Sequence, residues 1–282
     1  MTITLDRRLN AFRPDLADEA LRGQVEAERF IAGKAARITM PVAALRPVPD
    51  SACGIDTELL LGETVRVFER KDGWAWVQAD QDRYVGYLPE MQLGDPEEVT
   101  HRVCVPRTFL YPEPELRRPP VASLSIGSRV RIVGEAETRG TRYVTLADGT
   151  ALIASHCLPL GENLTDDYVT VAARFLETPY LWGGRSGFGI DCSALVQLAL
   201  MMTGRSAPRD SDMQAAIGTG IAREELRRGD LVFWKGHVGI MEDDKTLLHA
   251  NGHTMTVARE NFEAAVQRIG WLYSLPTGYR RI

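Results

Sequence analysis

The spacing of apolar residues changes twice along the chain. In residues 14–33, PDLADEALRGQVEAERFIAG, Leu21, Val25 and Phe30 recur near one helical face. The segment opens with Pro and acids and closes with Gly, which predicts one helix with start and stop signals at its ends. From about residue 37 the pattern becomes short alternating runs between turns, which predicts strands. After CLPLGENLTDD helical spacing returns in YVTVAARFLE. The run that starts at residue 192 then places Ala194, Leu195, Leu198 and Met202 on the buried face of a second helix. A helical SDMQAAIG follows, then strand-like GDLVFW, HVGIME and TLLHAN, and a closing IGWLYSLP.

The strand region repeats itself. LLLGETVRVFERKDGWAWVQADQDRYVGYL returns about 65 residues later as LSIGSRVRIVGEAETRGTRYVTLADGTALIA. Leu59, Leu61, Gly62, Val65 and Val67 match Leu124, Ile126, Gly127, Val130 and Ile132, and each copy opens with a Pro-rich stretch. Two copies are too few and too long for a solenoid, so they read as two small β-barrels of one build. The pattern resembles tandem bacterial SH3-like domains. The second copy lacks the aromatic that RYVGYL gives the first, and reads as a spacer. The expected division is a helical segment over 1–36, barrels over 37–97 and 98–160, and an α+β domain over 161–282 with helices first and strands last.

Composition narrows the function. With 44% hydrophobic and 25% charged residues in 282, the chain affords two to three globular domains. A net charge of −5 without a basic block argues against a nucleic-acid partner. No apolar run approaches a membrane span, and the first residues have no apolar leader core, so the expectation is a cytoplasmic protein with no membrane partner. None of Cys53, Cys104, Cys157 and Cys192 lies in a C-x-x-C pair, so no metal or other cofactor is implied. The first three read as reduced, partly buried residues.

Cys192 differs from them. It follows PYLWGGRSGFGI and sits where a loop becomes a helix, with Asp191 at the capping position. The unpaired N–H groups and dipole of a helix start favour a thiolate, which predicts a lowered thiol pKa. Gly183, Gly184, Gly187 and Gly189 leave room for a substrate chain beside the sulfur. A thiolate nucleophile needs a base. A lone strand histidine is ordinarily a core residue. Here His237 and His249 lie on successive strands joined by EDDKT, so a hairpin would make them neighbours, His237 as base and His249 as its orienting partner.

TPYLWGG…DCSALV, RRGDLVFWKGHVGIM and LLHANG, in this order, resemble the NlpC-type cell-wall cysteine peptidases, a papain-like family, over residues 165–282. The resemblance implies Cys192 as nucleophile, His237 as general base, His249 as the third residue and Tyr180 as a hydrogen-bond donor beside the thiol. The oxyanion would face the Cys192 N–H and the Tyr180 hydroxyl, with Trp182 near the substrate. With the preceding SH3-like pair, the whole chain resembles the γ-D-glutamyl-L-diamino acid endopeptidases of murein recycling. These cut short peptides that have a free N-terminal L-alanine. The resemblance further implies that Asp191, Ser193 and, from the first barrel, Glu63 hold the substrate's ammonium end, with Tyr84 or Tyr87 as an aromatic wall and Ser211 in the same pocket. Two other readings stay open: a papain-like amidase or acyltransferase on another acyl substrate, and an inert protein whose barrels bind cell wall or peptide.

Overall fold

The computed structural model describes residues 5–282, which fall into two compact units divided between residues 160 and 161. The first unit is almost entirely β. Its first half is a five-stranded antiparallel sheet in the order 85–89, 74–79, 64–71, 34–38 and 93–94, joined by a hairpin of 42–45 with 57–60. Ile38, Leu45, Leu59, Val65, Val77, Tyr84 and Leu88 fill the core between them. Its second half builds a like core from Val103, Leu124, Val130, Val144 and Leu152, again under short antiparallel strands.

The repeat read in the sequence is a repeat of backbone features. Gly62 and Gly127 occupy the same turn with φ of 77° and 89°, the left-handed region that favours glycine. The strand after each turn slips register at a bulge, between Val67 and Glu69 in one copy and between Ile132 and Gly134 in the other. Gly62 has a second constraint. A Cβ there would stand 2.2 Å from the Arg129 carbonyl oxygen, and the Arg129 N–H donates to the Leu61 carbonyl at 2.7 Å.

The helix expected over residues 14–33 does not form. Asp18 caps a single 3-10 turn at Glu19–Leu21 by accepting the Ala20 N–H, and Gly23 then turns the chain at φ 80°. Burial on the neighbouring sheet overrides local propensity: Ala11 and Leu16 pack against Phe68 and Trp76.

The second unit carries four helices, α1 (Tyr168–Ala173), α2 (Cys192–Met201), α3 (Ser211–Gln214) and α4 (Phe262–Leu272). Its antiparallel sheet has six strands: β1 (Thr219–Gly220), β2 (Asp230–Trp234), β3 (His237–Met241), β4 (Thr246–Asn251), β5 (Thr256–Asn261) and β6 (Gly278–Arg281). Their order is β1-β6-β2-β3-β4-β5. Helix α2 lies against β3 and β4, and every one of its residues is buried, not only the expected face. Its one polar position after Ser193 is Gln197, whose amide is satisfied by the Arg185 guanidinium at 2.5 Å and the Ala207 carbonyl at 3.2 Å. The closing IGWLYSLP is the end of α4 and the turn after it, and the final strand is β6.

Candidate active site

Cys192 is the first residue of α2, and Asp191 caps that helix: its Oδ1 accepts the Ala194 N–H at 2.8 Å. Arg209, wholly buried, grips the same carboxylate, with Nη1 2.9 Å from Oδ1 and Nη2 2.6 Å from Oδ2. The Gly183 N–H also donates to Oδ2, at 3.1 Å. Ser193 Oγ lies 3.2 Å from Asp191 Oδ1 and accepts from Arg209 Nη1 at 2.9 Å. The cap, the glycine loop and the helix start are thus tied into one buried cluster beneath the Cys192 thiol. Arg209 went unread in the sequence because a basic residue in APRDSDM has the signature of a solvated turn; only the fold returns it to residue 191.

The thiol is pushed up to about 12, first by burial and then by Asp191. The backbone N–H groups of Val238 and Ser193 point at the sulfur and pull the other way, as does Arg209. The helix start alone therefore does not make a thiolate here: removal from water outweighs the dipole. The Val238 contact also fixes where the sulfur lies, beside the residue that follows His237 in β3.

His237 Nε2 and His249 Nδ1 are 2.9 Å apart. The hairpin of β3 and β4 explains it. Ile240 pairs with Leu248, so continuing the register sets residue 239 opposite His249 and puts His237 on the same face, one diagonal step away. Burial, and then the nearby His249, hold the His237 imidazole down at about 3; burial likewise lowers His249. Trp234 packs its ring 5.6 Å from His237. Beyond His249, Glu260 Oε2 stands 3.3 Å from Nε2, and Arg268 of α4 holds that carboxylate. Glu260 was not legible as a site residue, since TVAREN reads as an exposed charged strand.

Tyr180 is half-buried and its backbone N–H donates to the Met255 carbonyl at 2.8 Å. Burial raises its hydroxyl, and Cys192 and Asp191 raise it further, so it is a protonated donor close to the nucleophile. Trp182 stands 71% exposed and supports no core. Ser211 opens the one-turn α3 behind Asp210, and Gln214 of that turn donates to the Ser193 carbonyl at 2.9 Å.

The sequence candidates in the first unit have places of their own. Glu63 is buried, and its Oε2 accepts the Leu60 N–H at 2.9 Å across the Gly62 turn. Tyr84 is a core residue, 4% exposed, and does not present its ring as an open wall. Tyr87 is the accessible aromatic of the two: it stacks on Trp76 at 6.4 Å, and its hydroxyl accepts from Arg13 at 2.9 Å. Among the described residues no cluster of His, Cys, Asp and Glu is disposed to hold a metal ion.

The geometry describes a thiol with a histidine relay, able to attack a carbonyl carbon and return a proton to the leaving group. Comparison with known proteins agrees. Residues 177–269 match the NlpC/P60 family, and residues 45–93 match the bacterial dipeptidyl-peptidase Sh3 domain. The chain is 30% identical over 218 residues to the γ-D-glutamyl-L-lysine dipeptidyl-peptidase of Bacillus subtilis, covering 70% of this chain and 72% of that one. It is 28% identical over 227 residues to the enzyme of the same name from Bacillus cereus, covering 70% and 67%. In fold it is similar to the crystal structure of an NlpC/P60 family protein from Bacillus cereus, with a TM-score of 0.73 and 24% identity over 88% of this chain and 99% of that one.

Proposed function

Because this chain belongs to the NlpC/P60 family of cysteine peptidases and carries a bacterial SH3 domain before its catalytic unit, we propose that it hydrolyses the bond between γ-D-glutamate and a diamino acid in short murein peptides with a free N-terminal L-alanine. The observation that carries this reading is the Cys192 sulfur beside Val238, next in the chain to His237 of the His237–His249 pair, in a chain similar to two enzymes named for γ-D-glutamyl-L-lysine. In this reading the second β half is another SH3-like barrel, supported by its matching glycine turn and bulge, and the catalytic unit is papain-like, supported by its helix-start thiol against a histidine-bearing sheet.

The Cys192 proton passes to His237 as the sulfur attacks the γ-glutamyl carbonyl carbon. The oxyanion that forms faces the helix start and the Tyr180 hydroxyl. Collapse of the tetrahedral species breaks the C–N bond, and His237 gives its proton to the departing amine. Water, deprotonated by His237, then attacks the thioester; the acid leaves and the proton returns to the sulfur. Recognition of the ammonium by Asp191 belongs to the same proposal. Its carboxylate already accepts from Gly183, Ala194 and Arg209, so a substrate ammonium shares its oxygens with them. A cytoplasmic role in recycling murein peptides completes the reading.

The test is incubation with L-Ala-γ-D-Glu-L-Lys and its meso-diaminopimelate counterpart, with products identified by mass. The expected products are L-Ala-D-Glu and the free diamino acid. N-acetylation of the alanine should lower kcat/KM by at least ~100-fold, the scale of a charge pair left half-made. Release of any other fragment, or equal rates on free and acetylated peptide, overturns the assignment.

A further inference from the structure

Three successive antiparallel strands each contribute one polar residue to a single line. His237 lies on β3, His249 on β4 and Glu260 on β5. His249 pairs with Ala258, so Glu260, two residues on, shares its face and is its diagonal neighbour. The line continues into α4, where Arg268 holds Glu260 with two contacts, Nη2 to Oε2 at 2.5 Å and Nε to Oε1 at 3.0 Å. The carboxylate is therefore fixed from behind, while His249 has 1% of its surface exposed and cannot turn to water for a partner.

The contact between His237 Nε2 and His249 Nδ1 holds one proton, and two directions are open to it. Only one serves catalysis. If His237 Nε2 donates, its Nδ1 lone pair is free to take the thiol's proton. If His249 Nδ1 donates, His237 carries its own proton on Nδ1 and is no base. Something must choose. His249 Nε2 lies 3.3 Å from Glu260 Oε2, a bent contact, and has no other hydrogen-bond partner. A carboxylate accepts and does not donate, so it places the His249 proton on Nε2 and leaves Nδ1 as a lone pair.

We propose that Glu260 is a positioning residue that sets the direction of this relay: by holding the His249 proton on Nε2 it obliges His237 to donate from Nε2 and to present Nδ1 to Cys192. Glu260 touches neither substrate nor sulfur and acts only through His249. The inference rests on the cysteine-peptidase reading and not on the identity of the peptide.

The test uses the full chain and two substrate-free readouts. Nitrogen-15 NMR of histidine-labelled wild-type protein should find His249 protonated on Nε2 and bare on Nδ1; the reverse tautomer overturns the proposal without any variant. Second, Glu260→Ala should slow iodoacetamide alkylation of Cys192 by ~10-fold or more, with an unchanged circular-dichroism spectrum. Glu260→Gln, whose amide can donate to Nε2 as well as accept from it, no longer dictates the tautomer and should stay slowed by ~10-fold or more. A Glu260→Ala protein that is alkylated at the wild-type rate overturns the proposal. So does a Glu260→Gln protein alkylated at the wild-type rate, which would show that the relay needs no obligate acceptor at residue 260. If Glu260→Ala does not fold, the Gln variant and the wild-type tautomer still decide. Turnover of the γ-glutamyl peptide is measured in parallel: should every protein fail to cleave it while alkylation still responds to residue 260, the substrate assignment fails and the relay stands.

Discussion

At the scale of single residues, burial works against a charge on Cys192 or on His237 by itself. The thiol is held up at about 12 and the His237 imidazole down at about 3, each first by removal from water. Passing the proton from sulfur to ring makes both charges together, in contact, so the two groups titrate as a pair and not singly. That transfer exchanges no proton with solvent. Alkylation of Cys192 should therefore be nearly independent of pH from about 5 to 9, whereas a free thiol gains its nucleophile only near ~8.5. In His237→Ala the sulfur must lose its proton to water instead, and the rate should rise roughly tenfold per pH unit across the same range. Stopped-time alkylation of the two proteins, read by mass, checks this; a wild-type rate that climbs like the variant's would mean that His237 takes no proton from the thiol. Cys192→Ala should abolish turnover, whereas His249→Ala should keep a measurable remnant, because an orienting partner contributes less than the base.

At the scale of elements, the site depends on where α2 begins. Asp191 is at once its cap and the carboxylate partner of the wholly buried Arg209. Removing one member of a buried ion pair leaves the other charge in a dry place. Asp191→Ala should thus destabilise the second unit by about 3 kcal/mol or more, beyond the ~1 kcal/mol of a lost cap. Removing the guanidinium as well, in Asp191→Ala/Arg209→Met, should restore part of the loss, since an apolar side chain of similar length needs no carboxylate. Urea unfolding of both single variants and the double variant decides it: a double loss equal to the sum of the single losses would show that the pair is not coupled. This cluster marks how far a sequence carries the reader. The cap, the helix and both histidines follow from local spacing, because each signal spans a few residues. Arg209 and Glu260 do not, because their roles arise from a return of the chain across 18 residues in one case and from β-sheet register in the other. The same reasoning explains residues 14–33: it is Leu16 and Ile31, not the helically spaced Leu21, Val25 and Phe30, that pack with Phe68 and Trp76, and no α-helix forms.

At the scale of the whole molecule, the two units place different demands on protons. The internal repeat of the first unit was legible because its glycine turns and bulges recur at fixed spacing. The second unit holds two histidines whose pKa values burial lowers, His237 to about 3 and His249 in the same direction; the first has one, the partly buried His156, lowered for the same reason. A group with a depressed folded pKa binds its proton less well in the native state than in the unfolded chain. Its stabilisation is complete above the unfolded value of ~6.5 and is lost as pH falls toward the folded one. Glu260, held at about 2 by its contact with His249 and by Arg268, adds a loss of the same sign at lower pH, once the unfolded carboxylate begins to protonate near 4.3. Calorimetry from pH 7 to pH 4 should then resolve a transition of the second unit that moves down in temperature more steeply than that of the first. In Glu260→Gln/His237→Gln that steeper slope should shrink toward the first unit's, because two of its proton-linked groups are gone. A second-unit midpoint that stays level from pH 7 to pH 4 in the wild-type chain would mean that these histidines keep ordinary proton affinities, and the neutral, buried relay on which the catalytic argument depends would have to be given up.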